Sequence, residues 1–165
     1  MLPHPFKAHD SQGHYQINQP VHSQDIIKMA NYLTRQRLKK GTDLSSPEKS
    51  YDYLQTLLQN QEREVFGVIL LDQQHRIIQY QELFQGTINQ ASVYPREIVK
   101  QALMNNAAAV ILVHNHPSGD PTPSMADKQL TQIIKEALAL VDIRTLDHLV
   151  VGHEGYRSLA KMGWL

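Results

Sequence analysis

Two histidines and an aspartate lie close together in residues 110–127, which read VILVHNHPSGDPTPSMAD. His114 and His116 end an apolar, strand-like run, and Asp127 falls in the first turn of a predicted helix that opens with Ser124. Side chains two residues apart on a strand leave the same face, so both imidazoles can approach one ion. Three protein ligands would leave a fourth tetrahedral position for water, as in catalytic zinc sites.

Each part of this stretch also has a structural interpretation. Ser-x-x-Asp before an apolar helical run is a capping pattern, in which the Ser124 hydroxyl accepts from the backbone N–H near Asp127. Paired histidines at a strand end are commonly packing or surface residues, and the proline and glycine residues between them and the helix form turns by themselves. Only the combination of these features favours a metal site over structural roles.

The elements that must position these residues follow from apolar runs and helical spacing. A helix capped by Ser23 should bury Ile26, Ile27, Ala30 and Leu33, and Ser46 should cap a second helix. The later helices should bury Leu103 and Ile133 among other apolar residues. Helices alternate with strands, which predicts an α/β fold in three layers. The predicted elements are helices over 23–40 and 47–58, a β-hairpin over 65–84, a helix over 95–105, a strand over 107–113, a helix over 124–140, strands over 141–144 and 149–152, and a short segment over 156–162.

Composition excludes several classes of function. The 165 residues contain no cysteine, so disulfides, cysteine-ligated zinc and thiol nucleophiles are excluded. The 16 basic residues balance 16 acidic ones, so the chain lacks the positive charge of a dedicated DNA-binding domain, although the end of the first helix is basic (Arg35, Arg37, Lys39, Lys40). With no signal peptide or membrane-length apolar run, we expect a cytoplasmic protein without membrane association. Oligomeric state cannot be predicted.

Three segments are expected along the chain. Residues 1–22 are polar and should form a flexible lead-in, because their histidines have no regular spacing. Residues 23–60 should be helical and pack on the domain that residues 61–165 form.

The order His-x-His-Pro, six residues, then Ser-x-x-Asp resembles the metal motif of the JAB/MPN (JAMM) zinc metalloprotease superfamily. The strings HNHPSGDPTPS, GTINQASVYPREIVKQAL and LVDIRTLDHLVVG resemble its bacterial RadC-like branch, and the resemblance covers residues 60–165. No helix-hairpin-helix region is recognisable before it, so the chain is similar to the short stand-alone form. The resemblance implies a JAB/MPN domain: a mixed, curved β-sheet flanked by helices, with an architecture related to cytidine deaminases.

The resemblance also implies roles for individual residues. His114, His116 and Asp127 would bind Zn²⁺, and Ser124 would help to stabilise an oxyanion. The family further requires an upstream glutamate that binds the zinc water as general base.

Glu64 in REVFGVILL fits that requirement best, because it directly precedes the first strand of the domain. Glu62 and Glu82 stay open as alternatives.

These roles imply a zinc-dependent metallopeptidase or isopeptidase that hydrolyses an amide bond of a peptide or protein substrate. Zinc would lower the pKa of its water to about 7, and Glu64 would move the proton. The alternative is a non-catalytic RadC-like module associated with DNA repair or mobile-element DNA processing, with nucleic acid as its partner. A zinc deaminase is excluded because that class needs Pro-Cys-x-x-Cys.

Further polar residues near these motifs receive structural predictions. Asn115 should point to the face opposite the two histidines and brace backbone, and His148 should be a hydrogen-bonded core histidine. Arg96, near a helix start, should form a structural ion pair, with contact to substrate as the alternative.

Overall fold

The computed structural model describes residues 3, 5–38, 41, 47–86 and 93–165. Within these ranges the chain forms four helices, a five-stranded sheet and a two-stranded ribbon. The elements are β1 (Lys7–Ala8), β2 (Tyr15–Gln16), α1 (Ser23–Arg37), α2 (Pro47–Leu58), β3 (Val65–Leu71), β4 (Ile77–Gln85), α3 (Pro95–Met104), β5 (Ala109–Asn115), α4 (Met125–Ala139), β6 (Arg144–Gly152) and β7 (Gly155–Ser158).

The main sheet has the strand order β4-β3-β5-β6-β7 and is antiparallel except between β5 and β6, which α4 connects. Every residue of β3 and β5 is buried, which explains why both strands read as continuous apolar runs. Side chains of α2, together with Leu38 directly after α1, pack on one face, and those of α3 and α4 pack on the other. The predicted three-layer α/β fold is confirmed.

Successive side chains of β5 point to opposite faces of the sheet, which determines the face on which each residue of the predicted site lies. Val110 and Leu112 face α3 and α4, whereas Ile111 and Val113 face α2. His114 therefore lies on the α4 side of the sheet, and Asn115 on the α2 side.

Two predictions for α1 are wrong. Its N-cap is His22, whose side chain accepts from the Gln24 N–H while the Asp25 carboxylate accepts from the His22 N–H. Ser23 as cap would have placed Ile26, not a carboxylate, at the third helical position, so the reciprocal bond could not form. Ile26 is 56% exposed, because the helix buries Met29 and Thr34 instead.

Three further predictions need correction. Leu103 and Ile133 are each about half exposed, since α3 and α4 lie at the surface and only one stripe of each helix meets the sheet. The strands predicted over 141–144 and 149–152 are one strand, β6, whose central Asp147 and His148 are buried with hydrogen-bond partners.

The N-terminal ribbon β1–β2 was not predicted, because two-residue strands are too short to show a period. Asp10 stabilises its turn by accepting from the Gln12 and His14 N–H groups. Lys39, Lys40, the predicted cap Ser46 and residues 87–92 lie outside the described residues. None of the described helices is long and apolar enough to cross a membrane.

Candidate metal centre

The end of β5 and the start of α4 bring together the three predicted ligands. His114 is the penultimate residue of β5, and His116 directly follows the strand, where its N–H donates to Val151 O at 2.8 Å. Asp127 lies in the first turn of α4. His114 is 2% exposed and Asp127 is 9% exposed, so both are largely removed from bulk water.

The ligand atoms of His114, His116 and Asp127 all lie within 4.8 Å of one another. His114 Nε2 is 3.0 Å from His116 Nε2 and 3.3 Å from Asp127 Oδ1, and His116 Nε2 is 3.6 Å from Asp127 Oδ2. Tetrahedral ligands at zinc distances of about 2.0–2.1 Å are separated by about 3.3 Å. The three groups could therefore hold a metal ion with little movement.

The loop after β5 orients His116. Its Nδ1 lies 2.9 Å from the Asp120 carbonyl oxygen, which can only accept, so Nδ1 carries the proton and Nε2 is free for a metal. The loop packs tightly on the sheet, since a Cβ at Gly152 would lie 2.0 Å from Gly119 O. Glycine at 152 is thus required for this position of the loop.

Opposite charges within the cluster favour its ionised forms. Burial alone would raise the pKa of Asp127, but the polar groups of His114, His116 and Ser124 beside its carboxylate hold that pKa far below its usual range. The hydrogen bond to Asp127 raises the pKa of His116 against the effect of burial, and the charge of Glu64 contributes in the same direction. Asp127 is therefore ionised, which is the form of a carboxylate that binds a metal.

Ser124 adopts the predicted capping geometry. Its Oγ accepts from the Asp127 N–H at 3.1 Å, and the Asp127 carboxylate accepts from the Ser124 N–H at 2.7 Å. The hydroxyl also donates to Asp127 Oδ2 at 2.7 Å. Ser124 is solvent-exposed. The cap is confirmed, and the oxyanion role of Ser124 stays a prediction.

Glu64 lies next to this centre. It directly precedes β3, and by alternation it shares the face of Phe66, whose ring stacks on His114 with ring centroids 6.2 Å apart. Glu64 and Glu62 both line an open cleft of about 490 Å³, which Arg63, Gly86 and Pro117 complete. Pro117 directly follows His116, so this cleft adjoins the metal ligands.

Glu82 lies elsewhere. Its carboxylate pairs with Arg35 of α1 at 2.9 Å, on the side of the sheet that α1 and α2 cover. The structure therefore brings Glu64 and Glu62, but not Glu82, to the cleft beside the cluster.

Asn115 has the predicted bracing position. Its Oδ1 accepts from the Val65 N–H at 2.7 Å, and its Nδ2 donates to Arg63 O at 3.1 Å and Gln61 O at 3.4 Å. Asn115 is 1% exposed. It thereby fastens the segment that carries Glu64 to the strand that carries His114.

His148 is the predicted core histidine, at 0% exposure, and its Nε2 lies 2.9 Å from His114 Nδ1. The sequence analysis did not single out Thr131, which bonds to His148. Thr131 follows Asp127 by four residues, a spacing that places Thr131 and Asp127 on the same face of α4. The neighbouring Asp147 accepts from Tyr51 and Ser158 and so joins α2 to β7. Arg96 Nε lies 3.4 Å from the carboxylate of the adjacent Glu97, and its side chain is 80% exposed, so the role of Arg96 stays a prediction.

Comparison with known proteins places these residues in a family context. A profile described as "RadC-like JAB domain" matches residues 44–164. A protein of Vibrio cholerae is 48% identical over 158 residues, which cover 96% of this chain and 99% of that protein. Proteins of Aeromonas hydrophila and Cellvibrio japonicus are 54% and 56% identical over 86% and 88% of this chain, which spans only 63% and 65% of their length. All three are named "UPF0758 protein", which states no activity.

Proposed function

The chain belongs to the RadC-like JAB domain family, and from that premise we propose that it is a zinc-dependent metallopeptidase or isopeptidase acting on a peptide or protein substrate. The observation that carries the proposal is the cluster of His114, His116 and Asp127 beside an open cleft that Glu64 lines. A structural zinc site would be closed by a fourth protein ligand, whereas this cluster borders a cleft that substrate can enter.

The donor set fits zinc. Two imidazole nitrogens and one carboxylate oxygen are borderline ligands that suit Zn²⁺ better than Mg²⁺ or Ca²⁺, which prefer oxygen throughout. Zinc, when bound, supplies a Lewis acid that makes water nucleophilic at neutral pH. Asp127, ionised in this setting, would contribute the only negative charge among the three ligands.

Glu64 is proposed as the general base. From the cleft it would accept the proton of the attacking water and deliver it to the leaving amine, so that the amine departs neutral. Ser124, exposed at the start of α4, would donate a hydrogen bond from its hydroxyl to the developing oxyanion. That role requires the hydroxyl to exchange Asp127 Oδ2 for the substrate oxygen as acceptor.

Metal stoichiometry and a cleavage screen test this proposal. The protein should bind one zinc ion, and His114→Ala should lose it, whereas His9→Ala, an exposed histidine before the turn of the N-terminal ribbon, should retain it. The zinc-loaded protein should cleave defined bonds in a broad peptide library analysed by mass spectrometry, and a chelator should stop the cleavage. A protein that binds zinc but cleaves nothing in such a library would refute the catalytic proposal.

The DNA-binding alternative gains no support from the described basic residues at the end of α1. Arg35 pairs with Glu82, and Arg37 donates to Tyr53 Oη, so both are engaged within the chain. Binding to duplex DNA that weakens steeply with salt would nevertheless favour this alternative, and no binding at low salt would eliminate it.

A further inference from the structure

We propose that His148 and Thr131 are positioning residues that hold His114 in the one tautomer able to bind metal through Nε2, an inference that rests on the proposed metal centre. His148 Nε2 lies 2.9 Å from His114 Nδ1, and His148 Nδ1 lies 2.5 Å from Thr131 Oγ1. Thr131 Oγ1 in turn donates to Asp127 O at 2.6 Å. The chain of bonds begins at one ligand and ends at the backbone of another.

The direction of each hydrogen bond follows from the Asp127 carbonyl oxygen, at which the series ends. A carbonyl oxygen can only accept, so the single hydroxyl proton of Thr131 points to Asp127 O. Thr131 Oγ1 must then accept from His148, whose Nδ1 carries a proton. A neutral imidazole has one donor and one acceptor, so His148 Nε2 accepts from Nδ1–H of His114. This leaves Nε2 of His114 unprotonated and facing the cluster.

The surroundings of His148 keep it neutral. It is completely buried, and its ring packs edge-on against Phe66 with centroids 5.5 Å apart. Among the residues that the structure describes, its two ring nitrogens bond to His114 and Thr131 and to no carboxylate. Protonation would create a buried charge without a carboxylate in contact, which is costly.

The chain of bonds also connects the elements that carry the ligands. His148 lies on β6, paired with Leu112 of β5, and Thr131 lies one turn after Asp127 on α4. Thr131 is 1% exposed, so water does not compete for these bonds. A neutral acceptor such as His148 orients His114, whereas a carboxylate partner would also increase the basicity of His114.

Zinc affinity of three variants tests the inference, measured by competition with a chromophoric chelator. Thr131→Val keeps the side-chain shape but leaves His148 Nδ1–H without an acceptor. This favours the tautomer in which His148 Nε2–H donates to His114 Nδ1, and His114 then carries its proton on Nε2. We expect zinc binding to weaken about 10–100-fold, as is typical when an outer-shell partner is lost. Thr131→Ser, which keeps the hydroxyl, should bind zinc like the wild type. Thr34→Val, a buried threonine in α1, is the matched control and should bind zinc like the wild type.

A second readout locates the proton directly. In the zinc-loaded protein, nitrogen–nitrogen coupling across the hydrogen bond should join His114 Nδ1 to His148 Nε2, with the proton bonded to His114. In metal-free protein the coupling should persist in Thr131→Val, but the proton should move from His114 Nδ1 to His148 Nε2, which a purely structural threonine would not cause.

The outcomes separate the two proposals. If the wild type binds no zinc, the metal centre is wrong and this inference falls with it. If the wild type and Thr131→Val bind zinc equally well, or if the proton resides on His148 Nε2, the metal centre stands and the positioning role is refuted.

Discussion

Removing the side chain of Asn115 should both destabilise the protein and separate its candidate base from its metal ligands. Asn115→Ala deletes three hydrogen bonds, to the Val65 N–H, Arg63 O and Gln61 O. The Val65 N–H lies at the start of a fully buried strand and loses the Asn115 amide oxygen as its acceptor, whereas the two carbonyls belong to a loop that water can reach.

The structure sets the size of the effect. A stranded buried donor costs about 1–3 kcal/mol, and the two carbonyl hydrogen bonds that water replaces cost about 0.5 kcal/mol each, so the free energy of unfolding should fall by about 2–4 kcal/mol. With a urea m-value of about 2 kcal/mol/M, the midpoint of unfolding should fall by about 1–2 M. Metal-free protein is the right sample, because bound zinc would add its own contribution to stability.

Asn60→Ala is the matched control. Asn60 is exposed in the turn after α2, so its loss should change stability by less than about 0.5 kcal/mol. Zinc-loaded Asn115→Ala should keep its metal but hydrolyse peptide more slowly, because Glu64 is no longer held beside the ligands. A midpoint equal to that of the control would refute the bracing role of Asn115.

Three other perturbations give distinct expected results. Gly152→Ala places a Cβ against Gly119 O, so the loop of His116 must shift, and zinc affinity measured by chelator competition should fall about tenfold or more; unchanged affinity would contradict the packing argument. Glu82→Gln breaks a surface ion pair, so thermal unfolding should show a loss below about 1 kcal/mol and peptide cleavage should be unaffected; loss of cleavage would make Glu82 the base. The pKa of His148 is lower in the folded state, so the unfolded chain binds its proton first on acidification. In metal-free protein His148 should therefore lower stability as pH falls below about 6.5, whereas His116, whose pKa is raised, acts in the opposite direction. His148→Phe should remove the first contribution in urea titrations at several pH values; an unchanged dependence on pH would show that His148 does not cause it.

The sequence predicted best those features that local pattern determines. The runs at β3 and β5 could be recognised because strands covered on both faces lack polar residues. The three ligands and Ser124 lie within one strand–loop–helix unit, so spacing alone could place them together.

Features that depend on distant contacts were harder to predict. Asp147 and His148 read as a break between two strands, since their partners Tyr51 and Thr131 come from separate helices. Glu64 reaches the ligands only through the pairing of β3 with β5, in which Phe66 lies opposite His114. The family resemblance implies a glutamate, and the register places Glu64 on the face of His114; its role as the base stays a prediction.

Comparison of Glu64→Gln with Glu62→Gln, both zinc-loaded, tests the central claim most directly. Both residues line the cleft, but only Glu64 lies next to β3 on the face of His114. With zinc content verified as equal, the rate of peptide cleavage should fall about 100-fold or more in Glu64→Gln and stay within a few-fold of wild type in Glu62→Gln. Wild-type cleavage by Glu64→Gln, with its zinc retained, would contradict the account.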